Sequence, residues 1–306
     1  MKKFLSILLA ALMLCGSVCA LASCGDAKEE GLDKAYNKYL DQYKFDDSDK
    51  PTLTVAMSPD FAPMEFTDTA KSGQDQYVGF DPLLAQYLAK ELDMKLVIKP
   101  MSFDACMTAV QTGTADLGIS GFSWTAERGE KFLISDYYIA GENENEQVII
   151  TTKENEGKWK TKEDFAGKKI GAQGGSLQEL LVKENFGEKS LSLFTDLTVA
   201  VEALMTGRID ALAVAVGNGD AFISKNPNKL AQTGFEFEVE EKYKNNVILI
   251  NKNNQELLDK VNVALAKAMA ADVYDSWYEA CQIYSQVKTA DELGYDDNGN
   301  KITNAD

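Results

Sequence analysis

Apolar positions along the chain change between two periods, and the changes predict strands that alternate with helices. TLTVAM at 52–57 is rich in β-forming residues, which predicts a strand. DPLLAQYLAKEL at 81–92 carries apolar residues at helical spacing, and we expect Asp81 to cap this helix. The order continues with a strand at 95–99, a helix at 103–113 and a strand at 115–120. This alternation predicts a mostly parallel α/β sheet.

A similar order recurs in the second half of the chain. The pattern predicts a strand, two helices and a strand at 168–172, 176–187, 197–207 and 210–216. The helix-to-strand junctions at 109–120 and 203–214 also look alike, which is a weak internal repeat or a shared turn closed by Gly. Two units of similar size predict two lobes.

Polar segments separate and flank these units. The stretches 137–160 and 235–246 are polar or acidic, and the second precedes a strand and two helices that end near residue 284. Residues 286–306 lack an apolar period and predict a loose acidic tail. Residues 25–50 read as a linker, and they favour equally a short amphipathic helix and a disordered stalk.

Composition excludes several classes of function. Of the 306 residues, 45% are hydrophobic, so the chain can build cores. It has no histidine, which excludes Ser-His-Asp and Cys-His catalysis and removes the commonest metal ligand. The net charge of −17 makes nucleic acid a poor partner. We expect no cofactor and no metal.

The N-terminus has the layout of an export signal. Two lysines precede an apolar core, and the tetrad Leu-Ala-Ser-Cys at 21–24 resembles a bacterial lipobox, in which the signal is cleaved before the Cys. We therefore expect residues 1–23 to be a signal peptide, Cys24 to carry the lipid, and 24–50 to be the linker. The alternative is an uncleaved anchor at 4–22. Cys106 and Cys281 could pair, but helix-like surroundings favour buried thiols.

The ordered segments resemble one known family. LTVAMSPDFAPMEF, GFDPLLAQYLAKEL, MSFDACMTAVQTGTADLGISGFSWTAERGEKFLISDYY, GKKIGAQGGSLQE and GRIDALAV occur in this order between residues 51 and 285. The set resembles the extracytoplasmic solute-binding proteins of amino-acid ABC importers, family 3 type. The resemblance implies a two-lobe, periplasmic-binding-protein-like α/β fold with a ligand cleft between lobes that two hinge strands join. Lobe 1 would comprise 51–140 and 246–285, and lobe 2 would comprise 146–240.

The resemblance also implies a ligand site. Arg128 can hold a carboxylate through two parallel charge-assisted bonds, and a helix start at Ser176 and the N–H of Leu177 favours an anion. In the family, matching positions do this work. Small residues lie before the Arg, and aromatic walls flank the ligand: Ser120, Gly121, Ser123, Phe61, Phe103. The alternatives are a surface salt bridge from Arg128 to Glu127, Glu130 or Asp136, and core roles for both Phe residues.

One position departs from the family pattern. A carboxylate that binds the ligand's ammonium usually follows the Asp of GRIDA by five residues, and here that position is Ala215. A buried ammonium without a carboxylate is costly, so Asp220 or Asn218 in a Gly-flanked loop, or another acid, would have to serve, or the ligand lacks an amino group. Ser58 stands where members that bind cationic or amide side chains often place Asp. A neutral polar amino acid is therefore the expected ligand.

Three classes of function follow. The first is a receptor that delivers an amino acid to an importer permease and ATPase, anchored to the outer face of the membrane by its lipid. An organic-anion or modified amino-acid receptor without an α-amino site is the alternative within that class. The second is an enzyme on the same fold, which the absence of cleft acid–base residues disfavours. The third is a metabolite sensor for a separate signalling protein.

Overall fold

A computed structural model describes residues 31–138 and 146–302. Residues 1–30, which include the predicted signal peptide and Cys24, residues 139–145 and residues 303–306 lie outside the described residues. Within the described ranges, no helix has the length and apolar character needed to cross a membrane.

Strands and helices alternate through most of the described chain. The strands are β1 (Thr52–Met57), β2 (Asp60–Phe61), β3 (Glu65–Thr67), β4 (Tyr77–Val78), β5 (Lys95–Pro100), β6 (Leu117–Gly118), β7 (Leu133–Ile134), β8 (Gln147–Thr152), β9 (Ile170–Gln173), β10 (Leu191–Phe194), β11 (Ala211–Ala215), β12 (Leu230–Glu236) and β13 (Leu249–Ile250). The helices are α1 (Lys34–Gln42), α2 (Phe80–Glu91), α3 (Phe103–Thr112), α4 (Ala126–Lys131), α5 (Leu177–Phe186), α6 (Leu197–Met205), α7 (Val216–Lys225), α8 (Gln255–Ala270) and α9 (Tyr274–Tyr284).

The first sheet defines lobe 1. Its strand order is β5-β1-β6-β13-β7. Strand β1 runs parallel to β5 and β6, whereas β13 runs antiparallel to β6 and β7. Strand β13 arrives late in the chain yet lies inside this sheet, so lobe 1 is built from two separate segments. Its core combines aliphatic residues of α2 with the fully buried Trp277 of α9.

The second sheet defines lobe 2. Its strand order is β10-β9-β11-β8-β12. Strands β9, β10 and β11 are parallel, and β8 is antiparallel to β11 and β12. Buried side chains of α6 pack on one face of this sheet, and those of α5 pack in a separate cluster with Phe165 and Phe235. All of its strands come from one continuous segment.

The two ends of the described chain pack on lobe 1. Tyr36 of α1 is 1% exposed, and its ring lies 5.2 Å from that of Tyr284 in α9. Tyr295 is also buried and joins Ala35 in a small cluster. Residues 34–42 are thus a packed helix rather than a disordered stalk, and 286–302 are not a loose tail. The apolar residues of 286–302 lie in turns, so they show none of the regular spacing that identifies a helix or a strand in the sequence.

Both remaining cysteines are buried free thiols. Cys106 lies in α3 and Cys281 in α9, so they belong to different helices of lobe 1. Burial raises the pKa of each thiol well above its usual value, which keeps both protonated and unreactive. They act as small apolar residues of the core.

Candidate functional site

A small cavity lies between the two lobes. Its volume is about 20 Å³, roughly the space that one water molecule requires. An amino acid therefore fits only when the lobes move apart. Eight of the nine ligand-site residues predicted from sequence line this cavity, together with two glutamines: Phe61, Phe103, Ser120, Gly121, Ser123, Arg128, Ser176, Leu177, Gln173, Gln178. Their part in binding stays a prediction.

Arg128 is a buried cation in this cavity. It lies in the short helix α4, whose cap Thr125 accepts a hydrogen bond from the Arg128 N–H at 3.2 Å. Its guanidinium donates to the carbonyl oxygens of Ser123 in lobe 1 and Gly175 in lobe 2. The side chain is 4% exposed, which excludes the surface salt bridge considered above.

No carboxylate of the described residues forms an ion pair with Arg128. Its Cζ atom lies 5.5 Å from the ring centre of Phe103 and 5.0 Å from that of Phe122, so aromatic faces contact the cation. Burial lowers the pKa of the guanidinium to about 10, so the group still carries its charge at neutral pH. This is a desolvated positive charge whose partners are neutral, which is a suitable binding site for an anion.

Phe61 and Phe103 approach the cavity from lobe 1. Phe103 is 7% exposed and its ring centre lies 4.6 Å from that of Phe122. Phe61 packs against the cores of both lobes. Gly121 has φ +56°, and a Cβ there would lie 2.9 Å from Phe61 Cε1. Only glycine lets this loop pass so close to the ring.

Lobe 2 supplies a helix N-terminus to the cavity. Ser176 caps α5 by accepting a hydrogen bond from the Glu179 N–H at 3.2 Å, and Leu177 begins the helix. The first N–H groups of a helix lack intrahelical partners and carry partial positive charge. Gly175 precedes the cap with φ +78°, and a Cβ there would lie 2.8 Å from Met107 of lobe 1. The absence of a side chain at Gly175 lets this loop of lobe 2 lie close to lobe 1, and the Gly175 carbonyl accepts a hydrogen bond from Arg128.

Sequence reasoning missed the two glutamines and a bridging acid. The Asp60 carboxylate in lobe 1 accepts hydrogen bonds from the Leu197 N–H at 2.7 Å and from Gln173 Nε2 at 3.1 Å, both in lobe 2. Burial raises its pKa. It stands in SPDFAP, one residue before Phe61, but only the apposition of the lobes gives it this role. Gln178 donates to the side-chain oxygen of Gln147.

Asp220, predicted from sequence to take the place of the carboxylate missing at Ala215, lies on a helix and not on a flexible loop. The segment VGNGD forms the first turns of α7. A Cβ at Gly219 would meet Val214 at 3.1 Å, so this glycine lets the helix pack closely against the sheet. Asp220 accepts from Gln232 Nε2 at 3.0 Å and does not line the cavity. Asn218 instead reaches lobe 1, donating to the Ala62 carbonyl at 3.2 Å.

Asn218 leaves one acceptor without a donor. The residue is 1% exposed, and its Oδ1 atom receives no hydrogen bond from any residue in 31–138 or 146–302. A buried carbonyl oxygen without a donor costs about 1–3 kcal/mol. Ala215, at the end of β11, is 3% exposed and offers no polar side chain.

A pair of buried acids lies behind the loop that carries Ser120 and Gly121. The Ser120 hydroxyl donates to Glu65 Oε1, and the Gly121 N–H donates to Asp81 Oδ2 at 2.7 Å. Asp81 was expected to cap α2, but the N-cap is Gly79 and the carboxylate serves this loop instead. Polar groups of the loop are thus bound to lobe 1 itself.

Metal ligation is not indicated in the part of the chain that the structure describes. No group of three or more His, Cys, Asp or Glu side chains is placed there to hold a metal ion.

Comparisons with known proteins agree with this architecture. The family model for bacterial extracellular solute-binding proteins, family 3, matches residues 53–280. The L-cystine-binding protein TcyJ of Escherichia coli is 29% identical over 221 residues, 72% of this chain and 78% of TcyJ. The crystal structure of the Streptococcus pneumoniae amino-acid ABC transporter substrate-binding protein AbpA, bound to L-arginine, superposes with a TM-score of 0.69 at 32% identity, covering 78% of this chain and 97% of AbpA. An ancestral arginine-binding protein bound to glutamine gives 0.66 at 34% identity, covering 75% and 97%.

Proposed function

Because the chain belongs to family 3 of the bacterial extracellular solute-binding proteins, we propose that it binds a neutral polar amino acid between its lobes and delivers it to an ABC importer permease. The predicted family and two-lobe fold are confirmed. Members of this family are binding proteins and not enzymes, so the enzyme alternative is wrong.

The observation that carries the proposal is the buried guanidinium of Arg128, which forms no ion pair with any carboxylate of the described residues. Its two carbonyl partners, one in each lobe, are replaceable by the two oxygens of a carboxylate. A carboxylate would add charge complementarity that neutral carbonyls lack. The N-terminus of α5, on the opposite side of the cavity, favours the same negative group.

The uncharged remainder of the cavity favours a neutral ligand side chain. Among the described residues that line it, Arg128 is the only charged one, and the amides of Gln173 and Gln178 offer both donors and acceptors. A cationic side chain would meet no carboxylate among these lining residues, because the nearby Asp60 is already bound to Gln173 and Leu197. The relatives include proteins that bind cystine and arginine, and under this proposal the chain would differ from them in specificity.

The ligand's ammonium needs an acceptor in place of the carboxylate that Ala215 lacks. Asn218 does not line the closed cavity, but its Oδ1 atom is the candidate, because it is buried at the contact between the lobes and has no donor among the described residues. A neutral acceptor binds an ammonium more weakly than a carboxylate does, so we expect modest selectivity for ligands that carry an amine. Because of this modest selectivity, the second candidate function is a receptor for organic anions without an α-amino group.

A thermal-shift and calorimetry panel tests both candidates. We expect L-glutamine and other neutral polar amino acids to raise the melting temperature more than L-arginine does. Ligand at about 100 times its dissociation constant stabilises by about 2.7 kcal/mol, which is easily measured. The 2-oxo acid of the best amino acid lacks the amine; tighter binding of that acid would favour the organic-anion receptor.

A variant separates the role of the ammonium acceptor. Asn218→Ala should weaken binding of the amino acid and leave binding of its 2-oxo analogue less affected. Asp220→Ala on the same helix is the matched control, because the Asp220 carboxylate accepts from Gln232 within lobe 2, whereas Asn218 contacts lobe 1. Equal losses for both ligands would show that Asn218 only supports the lobe contact.

The location and partners follow from the same proposal. Cys24 would carry the lipid that anchors the protein to the outer face of the membrane, after removal of residues 1–23. The permease and ATPase of the importer would be its protein partners. A metabolite sensor would share the cleft but deliver its signal to a different protein, and loss of solute uptake in a deletion strain would distinguish the importer.

A further inference from the structure

Two carboxyl groups lie together in the core of lobe 1, directly behind the cleft. Glu65 begins β3 and Asp81 lies in the first turn of α2, and both are 0% exposed. No lysine or arginine of the described residues forms an ion pair with either. The Asp81 N–H donates to the carbonyl of Met64, the residue before Glu65, at 2.9 Å, and the two carboxyl groups accept from the adjacent residues Ser120 and Gly121. Two ionised carboxylates cannot share such a site, so at least one proton must be present.

The hydrogen-bond partners indicate where that proton resides. Asp81 accepts from the Gly121 N–H at 2.7 Å and from the Tyr138 hydroxyl at 2.9 Å, so both of its oxygens act as acceptors. Glu65 Oε1 accepts from Ser120, whereas Glu65 Oε2 has no donor among the described residues. A proton on Oε2 would satisfy this atom and be donated to Asp81.

We propose that Glu65 and Asp81 share one proton and thereby position the Ser120 hydroxyl and the Gly121 amide at the floor of the cleft. Both are positioning residues, since they act on the loop and not on the solute. Loss of the proton would place two charges together in the core and loosen the loop that leads to Arg128. The proposal rests on the cleft being the binding site, whereas its test requires no ligand.

The surroundings of the pair favour retention of the proton. The titratable groups that face it from neighbouring elements are all acids, and none supplies positive charge: Asp60, Cys106, Tyr138, Cys281. Burial raises the pKa of Asp81 to about 7. Burial and then the nearby Asp81 raise the pKa of Glu65 well above its usual value.

The direction of the pH effect follows from these raised values. The folded protein binds more protons at this pair than the unfolded chain does, so the pair's contribution to stability falls as the pH rises from about 4 toward the raised pKa values. The Glu65→Gln variant mimics the protonated acid, because its amide donates to Asp81 and its carbonyl accepts from Ser120. That variant should lose much of this pH dependence.

The amide resonance of Gly121 reports the pair directly. In the parent protein, labelled with ¹⁵N-glycine, we expect the last transition of this resonance to lie above pH 7, where the shared proton is lost. In Glu65→Gln the last transition should move to lower pH, because Asp81 then loses its proton without a second carboxylate beside it. Glu163→Gln, in an exposed turn of lobe 2, is the matched control and should keep the parent's transition.

Two outcomes would overturn the proposal. One is a Gly121 resonance whose last transition in the parent lies below pH 7, and the other is a last transition at the same pH in the parent and in Glu65→Gln. If that variant does not fold, infrared spectroscopy of the parent decides: a buried protonated carboxyl band at neutral pH supports the shared proton, and its absence refutes it. We also expect Glu65→Ala to melt at a lower temperature than Glu65→Gln, since only Gln replaces the lost hydrogen bonds.

Discussion

Replacing Arg128 by Met should separate binding from stability. Burial lowers the pKa of the guanidinium from 12.5 to about 10. At about 1.4 kcal/mol per pKa unit, the charged form costs the folded protein about 3 kcal/mol. Two hydrogen bonds from the charged group return about 1.5–3 kcal/mol each. These contributions nearly cancel, so we expect the free energy of unfolding without ligand to change by less than about 2 kcal/mol.

Binding should respond very differently to the same change. Removing one partner of a buried charge pair costs about 2–5 kcal/mol, or roughly 30- to 5,000-fold in affinity. Calorimetry with the best amino acid of the panel measures the affinity, and urea unfolding without ligand measures the stability. Arg208→Met is the matched control, since Arg208 is exposed and should tolerate the change in both assays.

Either of two results would refute this reasoning about Arg128. If Arg128→Met binds the amino acid as tightly as the parent does, the guanidinium does not hold the carboxylate. If the variant loses more than about 3 kcal/mol of stability without ligand, the arginine is chiefly a structural residue, because its bonds to carbonyls then outweigh its desolvation.

Three further variants test other parts of the molecule. Asp60→Ala removes the acceptor for the Leu197 N–H in the opposite lobe and should weaken ligand binding by about 1–3 kcal/mol; unchanged affinity by calorimetry would show that this bond does not favour lobe closure. Asp220→Asn should leave ligand affinity unchanged, because Asp220 contacts Gln232 outside the cavity; a large loss in calorimetry would contradict the structure. Cys24→Ala should abolish fatty-acid labelling and membrane retention, and label that persists in the variant would rule out this anchor.

Local patterns predicted most helices and strands of both lobes. Helical spacing and a closing Gly located α3, for which Gly113 is the C-cap with φ +73°. The same logic missed α7, because Gly217 and Gly219 suggest a loop, although Gly219 serves close packing against the sheet. Whether a glycine marks a loop or a close contact between a helix and a sheet depends on the neighbouring sheet, which the local sequence pattern does not reveal.

Residues of the cleft were predictable where the chain keeps an ordered family pattern. They were not predictable where a contact joins residues that are far apart in the sequence. Arg128 and Ser176 belong to recognisable segments and reach the same cavity. Asp60 bridges to Leu197 across 137 positions of sequence, and no local pattern encodes that contact. The Glu65–Asp81 pair was missed for a related reason: a Glu in a short strand and an Asp at a helix start look ordinary until their burial is known.

The late arrival of β13 has a consequence for how this chain folds. Lobe 2 draws all of its strands from 147–236, so a chain that emerges N-terminus first can complete that lobe as a unit. Lobe 1 cannot close its sheet until β13 (Leu249–Ile250) inserts between β6 and β7, the latter ending at Ile134. Until then the unpaired edges of β6 and β7 are sites for misassembly, and lobe 1 folds around a partner that is already formed.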